Sequence, residues 1–346
     1  MAYTTINKSS DYFNTLLWSG DGTTSNSITG AGFQPDFVWI KRRNAVAGHK
    51  LNDSVRGVNK QLTTNNTNAE GTDTNQLTSF DSDGFTLSNN ADVNNSSGTY
   101  VGWNWLAGGT ASSNTDGSIT SQVSANTTSG FSIVSYTGTG ANATVGHGLG
   151  VAPSYVIVKA RSTTGGWITW VKGFSGTQYL TMQTTNAVAT SADIWNSTVP
   201  STDVFSIGTN SSMNTSSATY IAYCFADVKG FSKFGSYTGN GSTDGPFIYT
   251  GFKPAWFLVK QSSASGQHWY LFDNKRDTFN AVTRQLYPSL SNAESNDTGS
   301  PIDFTSNGVK IRNTSGHDNT SGATYIYMAF SESPFTTSTG IPTTAR

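Results

Sequence analysis

The sequence predicts an all-β protein made of three tandem, divergent copies of a jelly-roll-like β-sandwich domain. Three observations lead there. One composite signature recurs three times, β-branched and aromatic runs of about four to eight residues alternate with Gly, Asn, Asp and Ser clusters, and no capped helical period persists beyond a turn or two.

Each copy begins with an aromatic residue followed by a Gly-x-Gly bend, at Leu17-Trp18-Ser19-Gly20-Asp21-Gly22, Ser135-Tyr136-Thr137-Gly138-Thr139-Gly140 and Ser236-Tyr237-Thr238-Gly239-Asn240-Gly241. A proline follows at a fixed offset, Pro35, Pro153 or Pro254, just before an apolar strand, where a missing N–H does least harm. That strand ends on a lysine, Lys41, Lys159 or Lys260. Phe37-Val38-Trp39-Ile40, Tyr155-Val156-Ile157-Val158 and Trp256-Phe257-Leu258-Val259 are apolar at every position, so both faces should be covered, the outer one by a long loop, a neighbouring unit or another subunit. Lys159 reads as an exposed strand end. Farther on, Asp83-Gly84 and Asn307-Gly308 mark hairpin turns, with Thr202-Asp203-Val204-Phe205-Ser206-Ile207 in the same place in the second copy. Each copy closes on an aromatic-rich strand, Thr99-Tyr100-Val101-Gly102-Trp103-Asn104-Trp105 or its counterparts Thr219–Phe225 and Thr324–Phe330.

These landmarks divide the chain into residues 1–109, a first sandwich with an N-terminal arm; 110–129, a Gly- and Ser-rich linker or loop; 130–230, the second sandwich; and 231–346, the third with a C-terminal tail. About seven to nine strands are expected per unit. Ala226-Asp227-Val228-Lys229-Gly230-Phe231 leaves almost no joint, so units two and three should pack more rigidly together than unit one.

Composition narrows the function. The 346 residues are 35% hydrophobic and 12% aromatic, enough to fill β cores, but only 12% charged, with Ser, Thr, Asn and Gly in their place. Twenty Lys and Arg balance 21 Asp and Glu, which leaves no electrostatic footprint for nucleic acid. No stretch approaches the length of a membrane helix, and the first residues lack the apolar core of a secretion signal, so a soluble protein without membrane insertion is expected. The lone Cys224 lies in an apolar run and reads as a core residue.

Catalytic patterns are weak. Glu occurs only as Glu70, Glu294 and Glu332, and most Asp residues sit in turn contexts; Asp193 and Asp203, flanking Trp195, are the nearest to a carboxyl pair. Asp81-Ser82-Asp83-Gly84 starts like a calcium loop but lacks its later ligands, so a turn is expected. His49, His147, His268 and His317 show no zinc spacing, and His147 sits in a glycine-rich bend without the strand-to-helix context of a phosphate loop. No catalytic residue, metal or cofactor is expected. Trp18, Trp39, Trp103, Trp105 and Trp256 fall on core strands, whereas Trp167, Trp170, Trp195 and Trp269 occupy more variable positions and are the candidates for contact with a glycan or partner.

The run Gly32-Phe33-Gln34-Pro35 to Lys41, then Asp53-Ser54-Val55-Arg56-Gly57, Leu77–Leu87 and Thr99–Trp105, resembles a domain family common in structural proteins of marine bacteriophages. The second copy lacks the Asp-Ser-Val-Arg-Gly motif, and the third has Asp273-Asn274-Lys275-Arg276 there. The resemblance implies a virion surface protein, assembled in the host cytoplasm with other virion proteins, acting as a tail fibre or host-recognition element that contacts a surface glycan. It carries no catalytic residues with it. A capsid decoration or head-fibre protein is the main alternative, and a depolymerising tailspike the second. A homo-oligomer, a trimer, is expected to bury apolar faces that three small sandwiches leave open.

Overall fold

The computed structural model describes residues 4–333, and they are all-β, with helices of a single turn such as Ala91–Asn94 and Ala192–Trp195. Three larger antiparallel sheets share one strand order. In the first, the opening strand Phe13–Ser19 pairs with the closing strand Thr99–Trp105, which pairs with the lysine strand Phe37–Arg42, followed by Lys50–Asp53 and Lys60–Thr63. The second runs Phe131–Thr137, Thr219–Phe225, Tyr155–Ala160, Trp167–Val171, Gln178–Thr181. The third runs Ser232–Thr238, Thr324–Ser333, Lys253–Gln261, Trp269–Asp273. Pro254 falls at a bulge in its strand, where register shifts and the missing donor is tolerated.

A smaller sheet lies against each larger one: Asn26–Thr29, Gly84–Leu87 and Leu77–Asp81; Ala143–Gly146 with Val204–Ile207; and Phe247–Tyr249, Gly308–Ile311 and Ile302–Thr305. Two-residue loops turn the chain between Asp81 and Gly84 and between Thr305 and Gly308, at the expected hairpins. In the middle segment Val204–Ile207 pairs only with Ala143–Gly146, so no hairpin forms there.

The alternation along the lysine strands explains their all-apolar sequences. Val38 and Ile40 face Phe85 and Leu87 of the first small sheet, Val156 and Val158 face Phe205 and Ile207, and Phe257 and Val259 face Val309 and Ile311. The intervening residues, Phe37, Trp39, Tyr155, Ile157, Trp256 and Leu258, turn the other way into one cluster shared by all three larger sheets. The outer cover is therefore the rest of the same chain. The accessible surface, 12213 Å² for 36.8 kDa, lies below the roughly 13,500 Å² expected of a compact monomer of that mass and is far from that of separate beads.

Two expectations are corrected. Residues 110–129 are not a linker, because Ser112–Asn114 and Ser121–Asn126 add two strands to the edge of the second sheet, and Val123 and Ser124 are buried there. The strands are rich in Ser and Asn, and that composition hides them. The first segment is also not held more loosely than the others, since all three seams carry the same backbone bonds. Glu70 N–H donates to Arg161 O at 2.7 Å, Val188 N–H to Ser262 O at 2.8 Å and Glu294 N–H to Arg43 O at 2.7 Å, closing a ring from first to second to third and back.

Candidate functional site

The four tryptophans expected to meet a glycan or partner are buried. Trp167, Trp195 and Trp269 are 0% exposed and Trp170 is 5% exposed, so none offers a face to a sugar. Trp167 and Trp269 point into the shared core, and each indole donates to a backbone carbonyl of the adjoining segment, Thr63 O at 3.0 Å and Thr181 O at 3.4 Å. Trp170 and Trp195 fill the core of the second segment, Trp170 donating to Ser175 O at 3.2 Å. In the first segment His49 holds the place of Trp167, fully buried and accepting from Trp39 Nε1 at 2.9 Å. Burial, with the Lys41 charge nearby, pushes its pKa well down, so the ring is neutral.

The carboxyl and histidine candidates belong to local structure. Asp193 accepts from Ser191 Oγ and Asn210, and Asp203 from Thr202. In the calcium-like loop, Asp83 accepts from Gly30 and Gly32 N–H groups at 3.1 and 2.6 Å, and Asp81 from Ser79 and Thr86. His147 accepts from Leu149 N–H and faces Ser201 O, which makes its glycine-rich bend a buried strand end. The Gly-x-Gly bends are clamped by buried asparagines: Asn94 accepts from Asp21 N–H, Asn214 from Thr139 N–H and Asn319 from Asn240 N–H, at 3.0, 2.7 and 2.8 Å. A Cβ on Gly20 would come within 2.2 Å of Asn95 O, so the glycine is a packing requirement. In the third segment Ser300 Oγ and Asp297 both approach His317 Nδ1, at 3.2 and 3.5 Å. A charge-relay base needs its two partners on different ring nitrogens, so this grouping is not a triad.

Most of the buried charged side chains among the described residues lie at the seams. Asp53 and Arg56 are an ion pair with both side chains fully buried; Arg56 also donates to Leu51 O at 2.8 Å and reaches Glu70 at 3.3 Å, while Tyr223 donates to Asp53 at 2.7 Å. Glu70 then takes a two-pronged contact from Arg161, 3.0 Å at each oxygen. The Asp273–Arg276 pair repeats this, with Trp103 donating to Asp273 at 3.1 Å, Arg276 donating to Glu294 at 3.1 Å, and Glu294 held by Arg43 at 2.9 Å. Burial alone would raise the pKa of Glu70 and Glu294, but the guanidiniums prevail and hold both below the usual carboxylate range. The three strand-end lysines complete the seams. Lys41, Lys159 and Lys260 are 0% exposed, donate to Arg42, Ala160 and Gln261 carbonyls, and extend towards Ser291, Thr67 and Thr185 carbonyls of the adjoining segment. The expected exposure of Lys159 is thus overturned.

Exposed aromatic residues do exist, at positions the tryptophan reading missed. Phe247 and Tyr249 lie on the outward side of Phe247–Tyr249 and are 47% and 60% exposed. Aligned on the buried Ile28, Val145 and Ile248, the same places hold Ser27 and Thr29 in the first segment and Thr144 and Gly146 in the second. Aromatic residues where two other segments carry small ones were the available signal.

These features define an all-β protein of stacked sheets with buried ion pairs and lysines at its seams. The chain belongs to the family described as Domain of unknown function (DUF7483), whose model matches residues 8–334. No curated protein and no solved structure matches it.

Proposed function

We propose that the chain is a non-catalytic structural protein of a bacteriophage virion surface, built from three divergent copies of one β-sandwich unit and serving as a tail-fibre or other host-recognition element. The carrying observation is the ring of seams around one core: the two-pronged Arg161–Glu70 and Arg43–Glu294 pairs and the recurring lysines join segment to segment. Asp53, Glu70, Asp273 and Glu294, the carboxylates at the seams, are committed to arginines. The resemblance to marine phage structural proteins and the low charge support the virion setting. Other virion proteins are the partners in this reading, and the apolar faces that motivated a homotrimer are covered within one chain, so a trimer would need a further surface of its own.

Compactness favours a second placement beside the fibre. A globule suits a fibre tip or a capsid decoration better than a shaft, and copy number per particle separates the two. Antibodies against the purified protein should label the particle and block adsorption. Labelling confined to the capsid without loss of adsorption would move the protein to decoration, and release of reducing ends from host glycan would overturn the non-catalytic reading.

A further inference from the structure

We propose that the outward face of the small sheet in the third segment binds a neutral carbohydrate, with Phe247 and Tyr249 as stacking platforms and the Lys310–Asp244 and Arg312–Asp303 pairs as its polar rim. Residues two apart on a strand project to one side roughly 6–7 Å apart, close to the spacing of neighbouring sugar rings. Ile248 between them is buried at 4% exposure and anchors the strand. On the neighbouring strand Phe247 stands opposite Lys310, and Tyr249 opposite Gly308. A Cβ at Gly308 would meet Phe247 Cζ at 2.9 Å, so the Phe247 ring lies across that glycine, beside Tyr249. Covering a glycine takes one ring. The second, more exposed ring has no such task, and the other two segments close the same sheet with no aromatic there.

The rim decides the ligand class. Lys310 Nζ lies 2.6 Å from Asp244 and Arg312 Nε 2.6 Å from Asp303, so two cations and two carboxylates cancel on this face. A paired face exerts no net pull on an acidic or basic ligand but keeps donors and acceptors for vicinal hydroxyls. Apolar ring faces with a hydroxyl edge match aromatic platforms with a paired polar rim.

The double variant Phe247→Ser, Tyr249→Thr installs the residues of the first segment, so folding should be kept. Purified full-length protein and variant are titrated with neutral β-glucan, mannan and galactan oligosaccharides and with an anionic glycan, by saturation-transfer NMR, with circular dichroism melts in parallel. At least one neutral glycan should bind, its affinity should fall about tenfold or more in the variant while the melting midpoint holds, and added salt should change little. Three results overturn the site: no neutral glycan bound at millimolar concentration, binding retained by the variant, or binding of the anionic glycan alone. The proposal deepens the host-recognition reading but fails separately from it: if the variant protein loses glycan binding and phage carrying it adsorb normally, the site stands and the recognition role falls.

Discussion

Lys159 ends a strand, and a charge at a strand end reads as solvated, worth about 0–1 kcal/mol when removed. Its environment reverses that reading. The side chain is fully buried, its ammonium 3.0 Å from Ala160 O and 3.3 Å from Thr67 O across a seam. Recurrence of the lysine at one offset in all three segments was the legible sign of a shared buried role, but a single sequence gives no exposure. Lys159→Ala should therefore lower stability by about 2–4 kcal/mol, through lost stem packing and an unpartnered carbonyl, and Lys159→Met by less, because the stem is kept. Chemical denaturation of both variants checks the order. The pH dependence follows from the same burial, which pushes Lys41, Lys159 and Lys260 down to about 8. A folded pKa below the unfolded value near 10.4 means that the unfolded chain binds more protons in the window between them, so stability rises with pH from about 8 to 10. The melting midpoint should climb across that window and climb less in Lys159→Met. A flat or falling profile in the native protein would contradict the burial of these ammonium groups.

At the level of elements, the seams differ in a concerted way. Two carry a polar set, Tyr223, Asp53, Arg56, Glu70 and Arg161 in one and Trp103, Asp273, Arg276, Glu294 and Arg43 in the other. At the third, the corresponding positions hold Met328, Val171, Phe174, Val188 and Ser262, and the first four belong to or pack against the shared apolar core. All five positions change together because a half-satisfied buried network is worse than either a complete one or an apolar seam. The motif Asp53-Ser54-Val55-Arg56-Gly57 was visible in the sequence, and so was its absence from the middle segment; its partner Glu70 lies beyond the motif and Arg161 in another segment, so neither was. The lysine and closing strands were legible for a related reason: proline, lysine and closing aromatics are local signals, whereas the strands in 110–129 rest on polar residues whose burial depends on a neighbour. Arg56→Ala should cost about 3–5 kcal/mol, as it strands Asp53 without its cation. Transplanting the third seam's residues, Asp53→Val with Arg56→Phe, Glu70→Val, Arg161→Ser and Tyr223→Met, should cost less than that single change. Equilibrium unfolding of the two proteins decides it; a fivefold variant weaker than Arg56→Ala would mean the seams are not interchangeable.

For the whole molecule, the shared core alters what unfolding means. If the three units were separate sandwiches, Ile157→Asp would damage the second alone. Ile157 is 6% exposed and belongs to the same cluster as Trp39 of the first segment and Leu258 of the third. An unpaired carboxylate there costs several kcal/mol, comparable with the roughly 5–15 that stabilise a whole domain, and it removes contacts from all three larger sheets at once. The segments should then melt together. Calorimetry of the native chain should give one transition whose calorimetric and van't Hoff enthalpies agree, although about 350 residues would ordinarily behave as several domains. Residues 110–230 expressed alone should fail to fold, because the inner face of the sheet, with Tyr155, Trp167, Tyr223 and Phe225, would meet water. Ile157→Asp should abolish near-ultraviolet dichroism from the tryptophans of every segment, including Trp39 and Trp256. Two resolved transitions, or a variant that loses only the signals of the second segment, would show that the three parts are stable independently and that the shared core is a contact surface between finished domains.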